Sequence, residues 1–324
     1  SRNIISKMKD LSKVSVKMVE IGAETSGQRV DNFLLRLCKG VPKSHIYRIL
    51  RSGEVRVNSG RVDATYRLRE GDRVRVPPLR LGTRAAAPKP PKIDLPLLYE
   101  DEGLIAANKP AGLAVHGGSG ISHGVIEQLR AARPEAKFLE LVHRLDRDTS
   151  GLLLLAKKRS VLTAMHELIR AGDMDKRYLV LVQGKWPSGK QHVKLKLQRY
   201  VTGAGERRVS VDDEGRASHT VFELARACGA YSLLRAQLKT GRTHQIRVHL
   251  AHLGFPIVGD DKYGDFDLNK RLAKQGMKRM FLHAWKLAFV HPLNGDKLKL
   301  EAPLPPELEH FISTLKQDVD AESI

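Results

Sequence analysis

His143-Arg144-Leu145-Asp146-Arg147-Asp148-Thr149-Ser150-Gly151 runs directly into Leu152-Leu153-Leu154-Leu155-Ala156. The second part is an apolar run of strand length. The first part is mostly polar or turn-forming, and it predicts a loop crowded with titratable groups at the mouth of that strand. A carboxylate flanked by Arg144 and Arg147 is favoured in its charged form, because nearby positive charge stabilises it. Such a group can act as a nucleophile or a base toward a sugar carbon. Spacing alone fits a salt-bridged structural loop equally well.

Working outward, further apolar runs of strand length are Gly103 to Asn108, Tyr178 to Val182, Ser218 to Ala225 and Tyr231 to Leu238. Helical periodicity covers Val125 to Ala132, Val161 to Arg170 and His244 to Leu253. In the last, Ile246, Leu250 and Leu253 share a face, and Gly254 is placed to end the helix. Strands and helices follow in mixed order, without regular alternation, so the fold class is α+β rather than a doubly wound sheet.

Upstream, Pro77-Pro78 opens a stretch that reaches Pro96 and holds six of the 15 prolines. That density blocks helix and sheet ladders, so residues 77–94 are expected to form a linker. It separates an N-terminal domain, 16–76, from a larger one, 95–315. The small domain reads as helix, helix, strands. Val30, Phe33, Leu34 and Leu37 recur at helical spacing, with Asp31 in the first turn. Ser44 is the expected N-cap of a second helix carrying Ile46, Ile49 and Leu50 inward, and Gly53 ends it. Glu54 to Asn58 and Asp72 to Val76 alternate like strands.

The chain of 324 residues carries 56 Lys+Arg against 36 Asp+Glu, a net charge of +20. Residues 1–100 hold 21 Lys/Arg and 10 Asp/Glu, so +11 of that excess lies in under a third of the chain. Such an imbalance suits a polyanion, and nucleic acid is the usual one. Arg36, Lys39, Lys43, Arg48 and Arg51 fall on or between the two helices with few acids among them. They suit a phosphate-contacting face better than an ordinary solvated one. No run of 18 apolar residues exists to span a membrane, and Ser1 to Asp10 lacks the pattern of a secretory signal. The two cysteines, Cys38 and Cys228, make no disulfide framework. A soluble, cytoplasmic, monomeric protein is expected.

Three more segments carry polar chemistry. Thr240-Gly241-Arg242-Thr243-His244-Gln245-Ile246-Arg247-Val248-His249 puts a glycine turn before a helix start, with Arg242 and Arg247 as forks for carboxylate or phosphate. His244, His249 and His252 stand at spacings of five and three, which does not suit a metal helix. Lys176-Arg177-Tyr178 opens an apolar strand, and Asn108-Lys109-Pro110-Ala111-Gly112 reads as a loop at a sheet end.

Taken together and in this order, these segments resemble the RluA family of pseudouridine synthases over about residues 97–304. The carrying residues are His143 to Gly151, Asn108 to Gly118, Lys176 to Gly184, Gly241 to Gly254 and Phe281-Leu282-His283-Ala284. The N-terminal domain resembles the "S four" RNA-binding module. Its carrying residues are Arg29-Val30-Asp31, Phe33-Leu34, Pro42-Lys43-Ser44, Ile49 to Asn58 and Gly71-Asp72 with Val74. Lys39 to Ser44 and Val115 to Gly120 look most like the subgroup acting on large-subunit ribosomal RNA.

The resemblance implies a pseudouridine synthase fold, a mixed and mostly antiparallel central sheet with flanking helices, joined to the small α+β RNA-binding domain. It implies isomerisation of uridines in large-subunit (23S) rRNA. Asp146 would attack the ribose or take a ribose proton. Tyr178 would stack on the base and relay the carbon 5 proton, and Arg247 would be the basic partner of Asp146. Arg144 would enter the RNA where the uridine leaves. Lys43, Arg48, Arg51, Arg242 and His244 are the further RNA-binding candidates. No cofactor and no metal are implied, since the reaction is an isomerisation. Extruding a base costs a few kcal/mol, which a basic channel can offset. A non-catalytic RNA-binding or ribosome-assembly protein, or a glycosylase releasing the base, remain the rivals.

Overall fold

The computed structural model describes residues 15–79, 95–118, 123–187 and 189–315. The chain divides into two compact units, Ser1–Lys89 and Pro90–Ile324. Of the expected 77–94 linker, all but the first three residues lie outside the described residues.

The first unit runs β1 (Lys17–Glu20), α1 (Val30–Leu37), α2 (Lys43–Arg51), β2 (Arg56–Val57) and β3 (Arg73–Val76). Its sheet has the order β1-β3-β2, antiparallel throughout. Val30, Leu34, Ile46 and Ile49 meet Val55, Leu68 and Val74 in one core, all at most 1% exposed. That is the 3.6-residue periodicity of both helices turned onto the sheet. Buried Asp31 accepts from Arg29, from Tyr47 Oη at 3.0 Å and from the Asn32 amide, and so ties α1 to α2. Two expectations fail here. Pro42, not Ser44, caps α2, because a proline ahead of the first turn already gives the extended backbone the start requires. The strand expected over 54–58 is cut to Arg56–Val57, since Asn58 and Ser59 turn into the left-handed region.

The second unit continues with β4 (Leu97–Glu100), β5 (Leu104–Lys109), α3 (Val125–Ala132), β6 (Glu140–Leu141), β7 (Ser150–Ala156) and α4 (Arg159–Ala171). Then come β8 (Asp175–Gln183), β9 (Lys190–Val201), β10 (Arg207–Val211), β11 (Arg216–Cys228) and β12 (Tyr231–Leu238). It ends with α5 (Gln245–His252), α6 (Phe266–Lys274), β13 (Leu282–Val290), β14 (Lys297–Glu301) and α7 (Pro306–Thr314). Eleven strands form one sheet in the order β10-β9-β11-β12-β8-β13-β7-β5-β4, with β14 added to β13 and β6 to β7. Every pairing is antiparallel except β13 with β7.

That parallel junction lies under the loop of interest. His283 pairs with Ser150 and Ala284 with Gly151, so the strand begins two residues before the leucine run. Gly151 has φ +114°, and a Cβ there would overlap the Ala284 carbonyl. Only glycine allows the backbones to approach this closely. Every residue of β7 is buried, because helices and loops cover both of its faces. α5 lies on the face of the sheet that Tyr178 and Val180 share, with Ile246 and Leu250 inward. Leu253 lies just past the helix and is 41% exposed, so it does not complete the expected apolar face.

Candidate active site

Three chain segments converge on Asp146: its own loop, the Gly241 turn with α5, and the turn after α5. Leu145 is buried in the core beneath the loop, which leaves the next side chain, Asp146, 30% exposed. The loop is fastened from behind by Lys109. This fully buried lysine donates to the carbonyls of Pro110, Leu113 and Arg147 at 2.8–2.9 Å. The Gly112 amide also donates to the Arg147 carbonyl. Burial pulls the Lys109 ammonium down to about 7, opposed by the charges of Asp148 and Asp146.

A second anchor lies under the strand start. Arg279 Nη2 donates to Ser150 Oγ at 2.9 Å, and Ser150 Oγ lies 2.8 Å from His283 Nδ1. His283 Nε2 lies 2.9 Å from the Ala302 carbonyl, which can only accept. Nε2 therefore holds the proton, and Nδ1 accepts from Ser150. Burial holds His283 down to about 4, in keeping with a neutral ring.

Arg247 Nη1 donates to Asp146 Oδ2 at 3.1 Å. The same guanidinium gives Nε and Nη2 to the two oxygens of Asp260, at 2.9 and 2.7 Å. Arg247 is 6% exposed and Asp260 1%. Asp260 also accepts from the Lys262 and Tyr263 amides. Burial works against the Arg247 charge, but Asp260 and Asp146 outweigh it and raise its pKa. Burial likewise opposes the Asp260 carboxylate, which the Arg247 hydrogen bonds hold below its ordinary value. A buried pair of this kind is worth little as net stability, yet it fixes geometry firmly.

His244 sits at the head of α5 in the left-handed region, φ +54°, an uncommon conformation for a residue with a Cβ. Gln245 sustains it by saturating all of its amide groups. Its oxygen accepts from Thr240 Oγ1 and the Arg242 amide, and its nitrogen donates to the His219 carbonyl and Thr220 Oγ1. Tyr263 Oη accepts from the Val209 amide and lies 2.7 Å from His244 Nδ1, and as no other acceptor meets it among the described residues, its own proton goes to that nitrogen. Burial lowers His244, with the Asp146 charge opposing. The neutral ring then carries its proton on Nε2, 3.8 Å from Asp146 Oδ1.

Tyr178, on β8, packs half-buried between two core clusters beside Leu145 and Ile246. Burial, then the charge of Asp146, pushes its phenol well above the usual range. Asp146, Arg247 and His244 thus form one polar cluster, and Tyr178 lies near enough for the Asp146 charge to act on its phenol. The flanking arginines do not pair with Asp146. Arg147 turns to Asp148 at 3.2 Å, and Arg144 is exposed. Arg242 uses Nε on the Ala217 carbonyl. Lys43, Arg48 and Arg51 are exposed on α2 in the other unit. His249 is engaged with Ser218 Oγ at 2.7 Å.

Asp260, Tyr263 and the supporting role of Lys109 were not anticipated. A signal did exist for two of them in Gly259-Asp260-Asp261-Lys262-Tyr263-Gly264, a pair of acids framed by glycines soon after a basic helix. For Lys109, a lone lysine at a strand end gives no sign of burial.

A family model described as RNA pseudouridylate synthase matches residues 103–252, and an S4 domain model matches residues 28–74. The chain is 49% identical over 309 residues to the ribosomal large subunit pseudouridine synthase C of Pasteurella multocida, covering 94% of this chain and 95% of that one. It is 51% identical over 311 residues to the protein of that name from Salmonella typhi, covering 93% and 97%. The Escherichia coli (strain K12) protein of that name is 50% identical over 311 residues, covering 93% and 97%. Among solved structures, human RNA pseudouridylate synthase domain containing 1 superposes with a TM-score of 0.59 at 23% identity, covering 71% of this chain and 91% of that one. Human RNA pseudouridylate synthase domain containing 4 gives 0.55 at 25%, covering 68% and 93%.

Proposed function

The chain belongs to the RNA pseudouridylate synthase family, and we propose that it isomerises uridines of large-subunit ribosomal RNA with Asp146 as the reacting carboxylate. The observation that supports this most is the unequal treatment of the two Asp146 oxygens. Oδ2 is held by a guanidinium that a buried carboxylate holds in turn, while Oδ1 has no hydrogen bond among the described residues. A carboxylate fixed in direction and open on one side suits attack on a sugar carbon or removal of a sugar proton. Arg247 and the Nε2–H of His244 stand by to balance changes of charge on it.

The uridine must leave its stack to reach this group. Tyr178, on the adjoining strand, offers its ring to the base. Its raised pKa keeps the phenol protonated, so it offers the base a stacking platform and a hydrogen-bond donor. In the net reaction the bond from ribose carbon 1′ to base N1 breaks and one from carbon 1′ to carbon 5 forms. Carbon 5 loses a proton and N1 gains one. Mass is unchanged, and no electron donor or acceptor enters. The exposed cations Lys43, Arg48 and Arg51 of the S4 unit supply docking on structured RNA, and Arg144 fills the gap left by the extruded nucleotide. Among the described residues no helix is long and apolar enough to cross a membrane. The proposal extends to a monomer acting in the cytoplasm, and light scattering at the mass of one chain would check the oligomeric part.

The test is incubation with a transcript of large-subunit rRNA, followed by digestion to nucleosides. Pseudouridine should appear with no loss of mass from the RNA. Release of free uracil would make the protein a glycosylase, and neither product would leave an RNA-binding protein.

A further inference from the structure

Among the described residues, Lys176 is a cation that no anion meets. It stands two residues before Tyr178 on β8, so both side chains leave the same face of the strand. Its cross-strand neighbours are apolar, Leu238 on β12 and Leu287 on β13. The side chain is half-buried, and burial is the one influence that moves its pKa, downward. Among the described residues no carboxylate and no hydrogen-bond acceptor meets the ammonium.

Its surroundings fix where the charge lies. A Cβ on Gly241 would come 3.1 Å from Lys176 Nζ. Burial lowers His143, and the Lys176 charge lowers it further. The ammonium therefore lies between the Gly241 turn and the His143 end of the loop that bears Asp146. Arg242 follows Gly241 directly and uses Nε alone on protein, and its own charge is disfavoured by burial and by Arg216. A half-buried cation with no partner is unfavourable where it stands. A fold that keeps such a group against its own stability leaves it for an anion from outside. On RNA, that anion is a phosphate diester.

We propose that Lys176, with Arg242 beside it, binds a backbone phosphate adjoining the extruded uridine. This rests on the reading of the site as RNA-modifying. Two residues of strand span about 7 Å, the scale of one nucleotide from base to phosphate. Tyr178 would take the base and Lys176 the phosphate, so the ribose between them is presented to Asp146. Lys176 is then a binding residue that fixes the sugar, with no share in the bond changes.

The test compares wild type with Lys176→Met, which keeps the length and removes the charge. The probe is an rRNA fragment containing a uridine that wild type converts. The slope of log affinity against log salt should fall by about one. In ethylation interference, one phosphate within about two nucleotides of the target should block wild type and be silent in the variant. Lys176→Arg should restore both. The melting temperature of Lys176→Met should hold or rise, because an unfavourable buried charge is gone. Equal salt slopes with identical interference patterns would overturn the proposal, as would a fall in melting temperature with the slope unchanged. Failure of wild type to convert any uridine would instead overturn the functional reading on which this rests.

Discussion

Lys43, Arg48 and Arg51 in the N-terminal unit and Lys109, Arg247 and Arg279 in the C-terminal unit are cations that the two folds treat in opposite ways. The first three stand exposed on α2, over an apolar core. The second three are turned inward, and each is held by several partners: three carbonyls for Lys109, two carboxylates for Arg247, and Glu307, Ser150 and two carbonyls for Arg279. Exposed charges produce a field that draws a polyanion from a distance and can be lost one at a time. Buried charges produce position, and removing one leaves a partner stranded. On the proposed reading, one basic composition serves docking in one unit and alignment in the other.

The sharpest way to break this contrast is Asp260→Ala. It leaves Arg247 buried with two of its three hydrogen bonds lost, and should cost about 3–5 kcal/mol in the unfolding of the C-terminal unit. Conversion should be lost with it. Urea unfolding within about 0.5 kcal/mol of wild type would show that the pair does not hold the site.

Acid should separate the units next. His249 and His283 are fully buried with folded values of about 4, set first by burial, against 6.5 for a free imidazole. The unfolded chain then binds more protons between those values, so stability rises with pH there. Their contribution is present above about pH 6.5 and is lost toward pH 4, at about 3 kcal/mol each. Urea unfolding of the C-terminal unit at pH 7 and 4.5 measures it, and a flat profile would contradict it. The N-terminal unit buries no histidine among its described residues and lacks this source of acid sensitivity.

Tyr178→Leu removes a ring but no charge. It should weaken use of the flipped base by about 1–3 kcal/mol in single-turnover conversion, with folding retained. The smallest effect is expected for Arg48→Gln with Arg51→Gln. Stability should stay within about 0.5 kcal/mol, while the salt slope of rRNA binding drops by about two. A changed conversion rate at saturating RNA would show that these residues reach beyond docking.

The parts of this design legible in the sequence are those with a local signature. α1, α2, α3 and α4 follow the 3.6-residue period, and the leucine run of β7 is unbroken apolarity. β9 and β14 went unread because in Lys190 to Val201 and Lys297 to Glu301 lysines and other polar residues alternate with aliphatics, so that each strand resembles a charged surface segment. Asp146 and Arg247 show in the sequence as charged candidates, but their pairing does not, for nothing local says that residues 101 positions apart share a hydrogen bond, and the role of Tyr178 rests on resemblance. The pairing of Asp146 with Arg247 rather than with Arg144 or Arg147 is tertiary. Adjacent residues on a turn point apart, while α5 delivers a guanidinium from the far side of the sheet order.

Single-turnover conversion at saturating rRNA by Asp146→Ala, beside filter binding of the same variant, puts the inward half of the comparison to its most direct trial. Conversion should fall by about a thousandfold or more while affinity and salt slope match wild type. Pseudouridine formed by the variant at a rate near that of wild type would remove Asp146 from the chemistry.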